Sequence, residues 1–243
     1  MISFREKIAS TRPIPIDFNI VDNICNKIMN TILNLSKDKS DDVFISEIIP
    51  SDGNKVNPFD NNFYFIELIP RIDTEQTENY LVEIRFLINA IMLDDEDMVM
   101  ASLSKDNYIE ISFNETITVK EIKENKNKLF ENLKDVLIHE LTHSYDVISE
   151  KSWNMSEIKN ENEFKERYMH DRHELKAIQQ SLVYYAKKYI KEKNINFKNY
   201  SNKNDLLLYI IKTYKNYKNF NILTHKEKKL ILEVMYKQLI IGD

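Results

Sequence analysis

The residues whose types and spacing could do chemistry are His139-Glu140-Leu141-Thr142-His143. Two histidines four apart on a helix project from one face, one turn apart, so both imidazoles can reach a single metal ion. Glu140 follows the first histidine, where its carboxylate can approach a water held on that metal without ligating it. Two nitrogen ligands beside a general base are the local chemistry of a zinc hydrolase. The flanks agree with this. Val136, Leu137, Ile138, Leu141, Thr142, Ser144 and Tyr145 are uncharged in a chain of which 30% is charged. A helix packed on both sides beneath a cleft needs that local loss of charge. The plainer alternative is an ordinary helix with two solvated or core histidines.

A zinc site of this type takes a third protein ligand and keeps one position open for water. The 243-residue chain has five histidines and one cysteine, Cys25. The second histidine-bearing cluster, Tyr168-Met169-His170-Asp171-Arg172-His173-Glu174, therefore holds the candidates His170, His173 and Glu174. On the helical pattern that continues to about Ile190, Glu174 is in register with Ala177, Ile178, Ser181 and Tyr185, a face of small and apolar groups. His173 is in register with His170 and Ala177.

The motif His139-Glu140-Leu141-Thr142-His143, followed by a helix carrying Glu174-Leu175-Lys176-Ala177, resembles the zincin metallopeptidases, and among them the gluzincin branch. The resemblance covers roughly residues 107 to 185. It implies Zn2+ held by His139, His143 and Glu174, with Glu140 as general base in peptide-bond hydrolysis. The Glu-x-x-Ala form of the third-ligand motif is present. The Glu-x-x-x-Asp form is not, because Ile178 stands at the aspartate position. Asp171 and Asp146 are then the candidates for a carboxylate supporting the ligands. One of Tyr168, His170 and His173 is a candidate donor to the oxyanion of the tetrahedral intermediate. The metzincin branch is excluded, since Asp146 and Ser149 occupy the positions of its glycine and third histidine. In zincins the strand before the motif helix commonly forms the sheet edge above the cleft, where an extended peptide adds by backbone hydrogen bonds. Tyr108-Ile109-Glu110-Ile111-Ser112-Phe113 is the strand expected in that role. Three rivals stand beside the peptidase: a hydrolase of non-peptide bonds, a catalytically degenerate zincin serving as a binding or assembly module, and a helical interaction protein with a fortuitous motif.

Composition narrows the partners. A net charge of −5 gives no basic patch for nucleic acid, and a peptide or protein substrate is the partner the resemblance implies. One cysteine excludes an internal disulfide framework. The sequence Met1-Ile2-Ser3-Phe4-Arg5-Glu6-Lys7 is not followed by an apolar run, so neither a signal peptide nor a membrane span is expected, and the expected location is cytoplasmic. With two glycines in the chain, turns that need positive φ must fall to asparagine.

The elements that must position these residues follow from periodicity and caps. Asp17 caps a helix to about Leu35, with Ile20, Ile24, Ile28 and Ile32 at helical spacing. Strands are expected over Val43–Ile49, over Phe63–Ile69 with Pro70 as its end, and over residues 80–93. A hairpin is expected from Met98–Leu103 and Tyr108–Phe113 around Lys105-Asp106-Asn107. Thr118 and Glu121 have capping-box spacing and begin the motif helix, whose buried stripe is Ile122, Leu129, Phe130, Leu133, Leu137 and Leu141. The C-terminal third is helical, over Asn204–Tyr217 and again after Thr224. The fold expected is α+β and zincin-like: a small N-terminal mixed or antiparallel sheet packed on the motif helix, then a helical C-terminal lobe. It is read as one two-lobed domain, with residues 1–119 as helix plus sheet, 120–149 as the motif helix and 163–243 as the helical lobe.

Overall fold

The computed structural model describes residues 16–49, 63–72, 79–93, 97–104, 108–149, 172–213, 220 and 223–241. They fall into two compact units, one spanning Ile14–Tyr145 and the other containing the described residues from Asp146 onward. Among the described residues no helix is long and apolar enough to cross a membrane.

The first unit is α+β. It opens with α1 (Phe18–Leu35), started where the Asp17 carboxylate accepts from the Asn19 N–H at 2.9 Å. The helix buries Val21, Ile24, Cys25, Ile28, Met29 and Ile32 along one face. Four strands follow: β1 (Tyr64–Ile72), β2 (Asn79–Ile91), β3 (Val99–Leu103) and β4 (Tyr108–Asn114). Their order across the sheet is β1-β2-β4-β3. β1 and β2 are antiparallel, β3 and β4 are antiparallel, and β2 runs parallel to β4, so the sheet is mixed. The register places Phe65, Ile84, Phe86, Ile88, Ile109, Ile111, Phe113 and Val99 on one face, and all are buried. Lys27 of α1 pairs with Glu67 of β1 at 2.8 Å and lies 4.1 Å from the Phe65 ring centroid, tying α1 to that face.

After the sheet come a short helix, α2 (Val119–Glu124), and the motif helix, α3 (Lys126–Ser149). The capping box forms as its spacing predicts. Thr118 Oγ accepts from the Glu121 N–H, and the Glu121 carboxylate accepts from the Thr118 N–H and hydroxyl. These donors hold the Glu121 carboxyl below its ordinary range. The box starts α2, however, and not α3: Asn125 turns out of helical geometry at φ −105°, ψ 20° and separates the two. α3 then buries Leu129, Leu133, Leu137, Ile138 and Leu141. It also buries Lys134, which pairs with Asp22 of α1 at 2.7 Å and lies 4.5 Å from the Phe130 ring centroid.

Two strand expectations change. Val43–Ile49 forms no strand; it makes one bridge, Phe44 to Thr118, and then a 3₁₀ turn at Ile45–Glu47. Apolar content alone does not separate a strand from a buried turn. β1 also runs through Pro70 to Ile72. Because the Ile88 N–H donates to the Phe63 carbonyl, residues 65, 67 and 69 face β2, and the Pro70 nitrogen faces the open side of an edge strand. There proline removes no ladder bond.

The second unit, where described, is helical: α4 (Arg172–Glu192), α5 (Lys203–Thr213) and α6 (His225–Ile241). Leu175, Ile178, Leu182 and Ala186 of α4 join Leu206, Leu207, Ile210 and Ile211 of α5 and Ile231, Met235 and Leu239 of α6 in one core. α6, expected after Thr224, has its own capping box, Thr224 with Glu227. α4 ends where Asn194 takes φ 50° and the Ile195 N–H reaches back to the Ile190 carbonyl. This closure usually takes glycine and here uses asparagine.

Two outcomes check this fold. Thr118→Ala is expected to cost about 1 kcal/mol in urea unfolding at neutral pH. Glu121 has a depressed folded pKa, so its share of that cap is present above the unfolded value of 4.5 and is lost as pH falls through the lower folded value. The difference between Thr118→Ala and the parent should therefore shrink in acid. Cys25 is fully buried, and burial pushes its thiol pKa well up. An aromatic disulfide reagent should modify it only on unfolding, at the rate of loss of helical circular dichroism.

Candidate metal centre

α3 carries the first two candidates. Its 3.6-residue period, locked by burial of Leu133, Leu137, Ile138 and Leu141, sets the phase of the turn between them and leaves His139 and His143 half-buried. The two imidazoles converge. Their Nε2 atoms are 3.0 Å apart and the ring centroids 4.7 Å apart, with the ring planes 79° from parallel. Thr142 and Ser144 return their hydroxyls to the Ile138 and Leu141 carbonyls, so neither competes for this face.

Glu140 is buried, and its Oε2 accepts from the Leu103 backbone N–H at 2.9 Å. That bond fixes the motif helix against the last residue of β3. Glu174 lies in the first turn of α4 and is also buried, with Ala177, Gln180 and Ser181 near it along the helix. One nitrogen of His139, one of His143 and one carboxylate oxygen of Glu174 all lie within 4.8 Å of one another. Among the described residues this is the one group of three or more His, Cys, Asp or Glu side chains close enough to hold a metal ion.

The donor set suits zinc. With Zn–N bonds of about 2.0–2.1 Å and tetrahedral angles, two ligating nitrogens stand about 3.3–3.4 Å apart. The 3.0 Å separation comes within a small side-chain rotation of that value. Two imidazoles and one carboxylate would supply three of four positions and leave one for water.

The remaining sequence candidates divide in two. Tyr168, His170 and Asp171 lie outside the described residues, as do the side chains of His173 and Asp146. The strand Tyr108–Phe113 is described, and its expected role as the sheet edge is corrected. β4 is interior: residues 108–114 pair with 85–91 of β2 on one side, and residues 109–113 with 99–103 of β3 on the other. Both of its hydrogen-bonding sides are occupied, so Tyr108, Ile109, Glu110, Ile111, Ser112 and Phe113 cannot accept an added strand. Among the described residues the edge on this side is β3. The Leu103 N–H on Glu140 is the contact that sequence reasoning did not supply. It is a backbone group, so no residue type marks it.

Comparison with protein-family models, curated proteins and solved structures returns no match.

If these three side chains form a metal site, the purified chain will bind one equivalent of Zn2+ in dialysis with elemental analysis. His139→Ala, His143→Ala and Glu174→Ala should each weaken binding by more than the about 10–100-fold typical of losing an outer partner. Equal zinc affinity in the Glu174→Ala variant would remove Glu174 from the set.

Proposed function

We propose that the chain is a zinc-dependent metallopeptidase of gluzincin type, with His139, His143 and Glu174 as metal ligands and Glu140 as general base. The observation that carries this reading is the approach of one donor atom from each of the three ligand side chains to within 4.8 Å. The 3.0 Å between the imidazole Nε2 atoms supports it further.

Zinc in such a site would supply Lewis acidity and lower the pKa of a ligated water toward neutrality. Everything else falls to the chain. His139 and His143 would hold two positions from one helix face, and Glu174 would neutralise one charge of the ion. Glu140 adjoins His139 in sequence but is held apart by the Leu103 N–H, as befits a base that does not ligate. Its carboxylate takes the proton as water attacks the peptide carbonyl, then delivers it to the leaving amine nitrogen. Its burial limits competing solvation of the charged form.

Substrate has a docking edge in β3. The Ser104 N–H donates to the Tyr108 carbonyl and the Asn114 N–H to the Met98 carbonyl, so the even-numbered residues from 98 to 104 face β4. By alternation Val99, Ala101 and Leu103 direct their backbone groups away from the sheet. An extended peptide lying there would run beside Glu140.

Glu140→Gln tests the assignment. Against a fluorescein-labelled casein substrate it should lower the hydrolysis rate by about 10²–10⁴-fold, the usual worth of a positioned acid–base group, while zinc content stays at one equivalent. Near-parental turnover in Glu140→Gln would rule out this role. Absence of any cleavage by the zinc-loaded parent chain would rule out the peptidase itself.

A further inference from the structure

The Leu103 N–H has two uses that exclude each other, one of them filled in this structure. It is a donor on the outer side of β3, and among the described residues no strand pairs with that side. It is also the donor held by Glu140 Oε2 at 2.9 Å. A peptide adding to a sheet edge uses alternate N–H and C=O groups of the edge strand, which here are those of Val99, Ala101 and Leu103. One N–H does not make two good, linear hydrogen bonds at once. A peptide that reaches the end of β3 must therefore take this donor from the carboxylate.

We infer that the Leu103 N–H is exchanged between Glu140 and a bound extended peptide, so that docking on β3 and releasing Glu140 from its backbone tether are one event. The inference builds on the proposed peptidase site and adds a regulatory device to it. Without peptide, Glu140 is tethered to the strand end. A chain that pairs along β3 as far as Leu103 displaces that tether, and the carboxylate becomes able to turn toward the water it is to deprotonate. A short substrate that does not reach Leu103 leaves the tether in place. The device would favour long, extended peptides over fragments and slow the idle base, using no side chain other than Glu140. Both partners of the hydrogen bond belong to the Ile14–Tyr145 unit.

The experiment reads binding and not turnover. A fluorescein-labelled octapeptide of alternating valine and threonine, chosen for its strand propensity, is titrated into zinc-loaded Glu140→Gln and Glu140→Ala by fluorescence anisotropy. Both variants lack the carboxylate, so neither cleaves the probe and net charge is matched. Glutamine keeps an acceptor for the Leu103 N–H, and alanine does not. The Glu140→Ala variant should bind the octapeptide about fivefold more tightly, the worth of one competing neutral hydrogen bond. Adding Leu103→Pro deletes the N–H at a position that gives no bond to β4, where an edge strand tolerates proline. In that background the difference between glutamine and alanine should vanish.

Hydrogen exchange at the Leu103 amide gives a reading that does not need the proline variant. Exchange should be slow in the parent, faster in Glu140→Ala and slow again when the octapeptide is added. An equal gain in both Leu103 backgrounds, no gain in either, no octapeptide binding at all, or an amide whose exchange ignores both Glu140 and peptide would each overturn the inference. Since no arm measures hydrolysis, a chain that binds and couples in this way but cleaves nothing would defeat the peptidase reading alone.

Discussion

The hydrogen bond from the Leu103 N–H to Glu140 is the constraint on which the arrangement of this unit's chemistry depends. A helix can rotate and slide against a sheet while keeping its apolar stripe buried, because dispersion and hydrophobic burial are non-directional. A directed bond from a strand terminus to a buried carboxylate removes that freedom. Once Glu140 is fixed, the helical period fixes His139 beside it and His143 one turn on. Lys134, nine residues before His143, adds a second fixed point through Asp22 of α1. The motif helix is thus held by polar contacts to a strand end and to another helix, with Leu133, Leu137 and Leu141 filling the space between.

Much of this was legible in the sequence, for physical reasons that differ by element. Asp17, Thr118 and Thr224 announced helix starts because caps are local: the acceptor and the N–H it satisfies lie within three residues. The pairing of β3 with β4 was legible because a short polar turn between two β-rich runs leaves few other partners. The insertion of β4 between β2 and β3 was not. Parallel pairing joins segments whose order in the sheet is set by tertiary packing, and β4 reads as apolar alternation whether it is central or at an edge. The break at Asn125 was hidden for another reason, since asparagine inside a helical pattern lowers propensity only slightly. Burial of Lys134 was hidden because its partner, Asp22, lies more than one hundred residues away in sequence.

The histidine pair and Glu140 were legible as a candidate site because their spacing is itself the geometry. Glu174 was reached by resemblance and by helix phase, and it stands within 4.8 Å of the pair. A carboxylate in the first turn of a helix gains from the positive end of the helix dipole. In the zinc reading Glu174, the two histidines and the Glu140 base have separate tasks.

Zinc K-edge X-ray absorption on the metal-loaded chain tests the central claim most directly. The account predicts four nitrogen or oxygen neighbours at about 2.0–2.2 Å, with outer-shell scattering from two imidazole rings. One ring's contribution should disappear in the His143→Ala variant. A spectrum without imidazole scattering, or one that His143→Ala leaves unchanged, would contradict it.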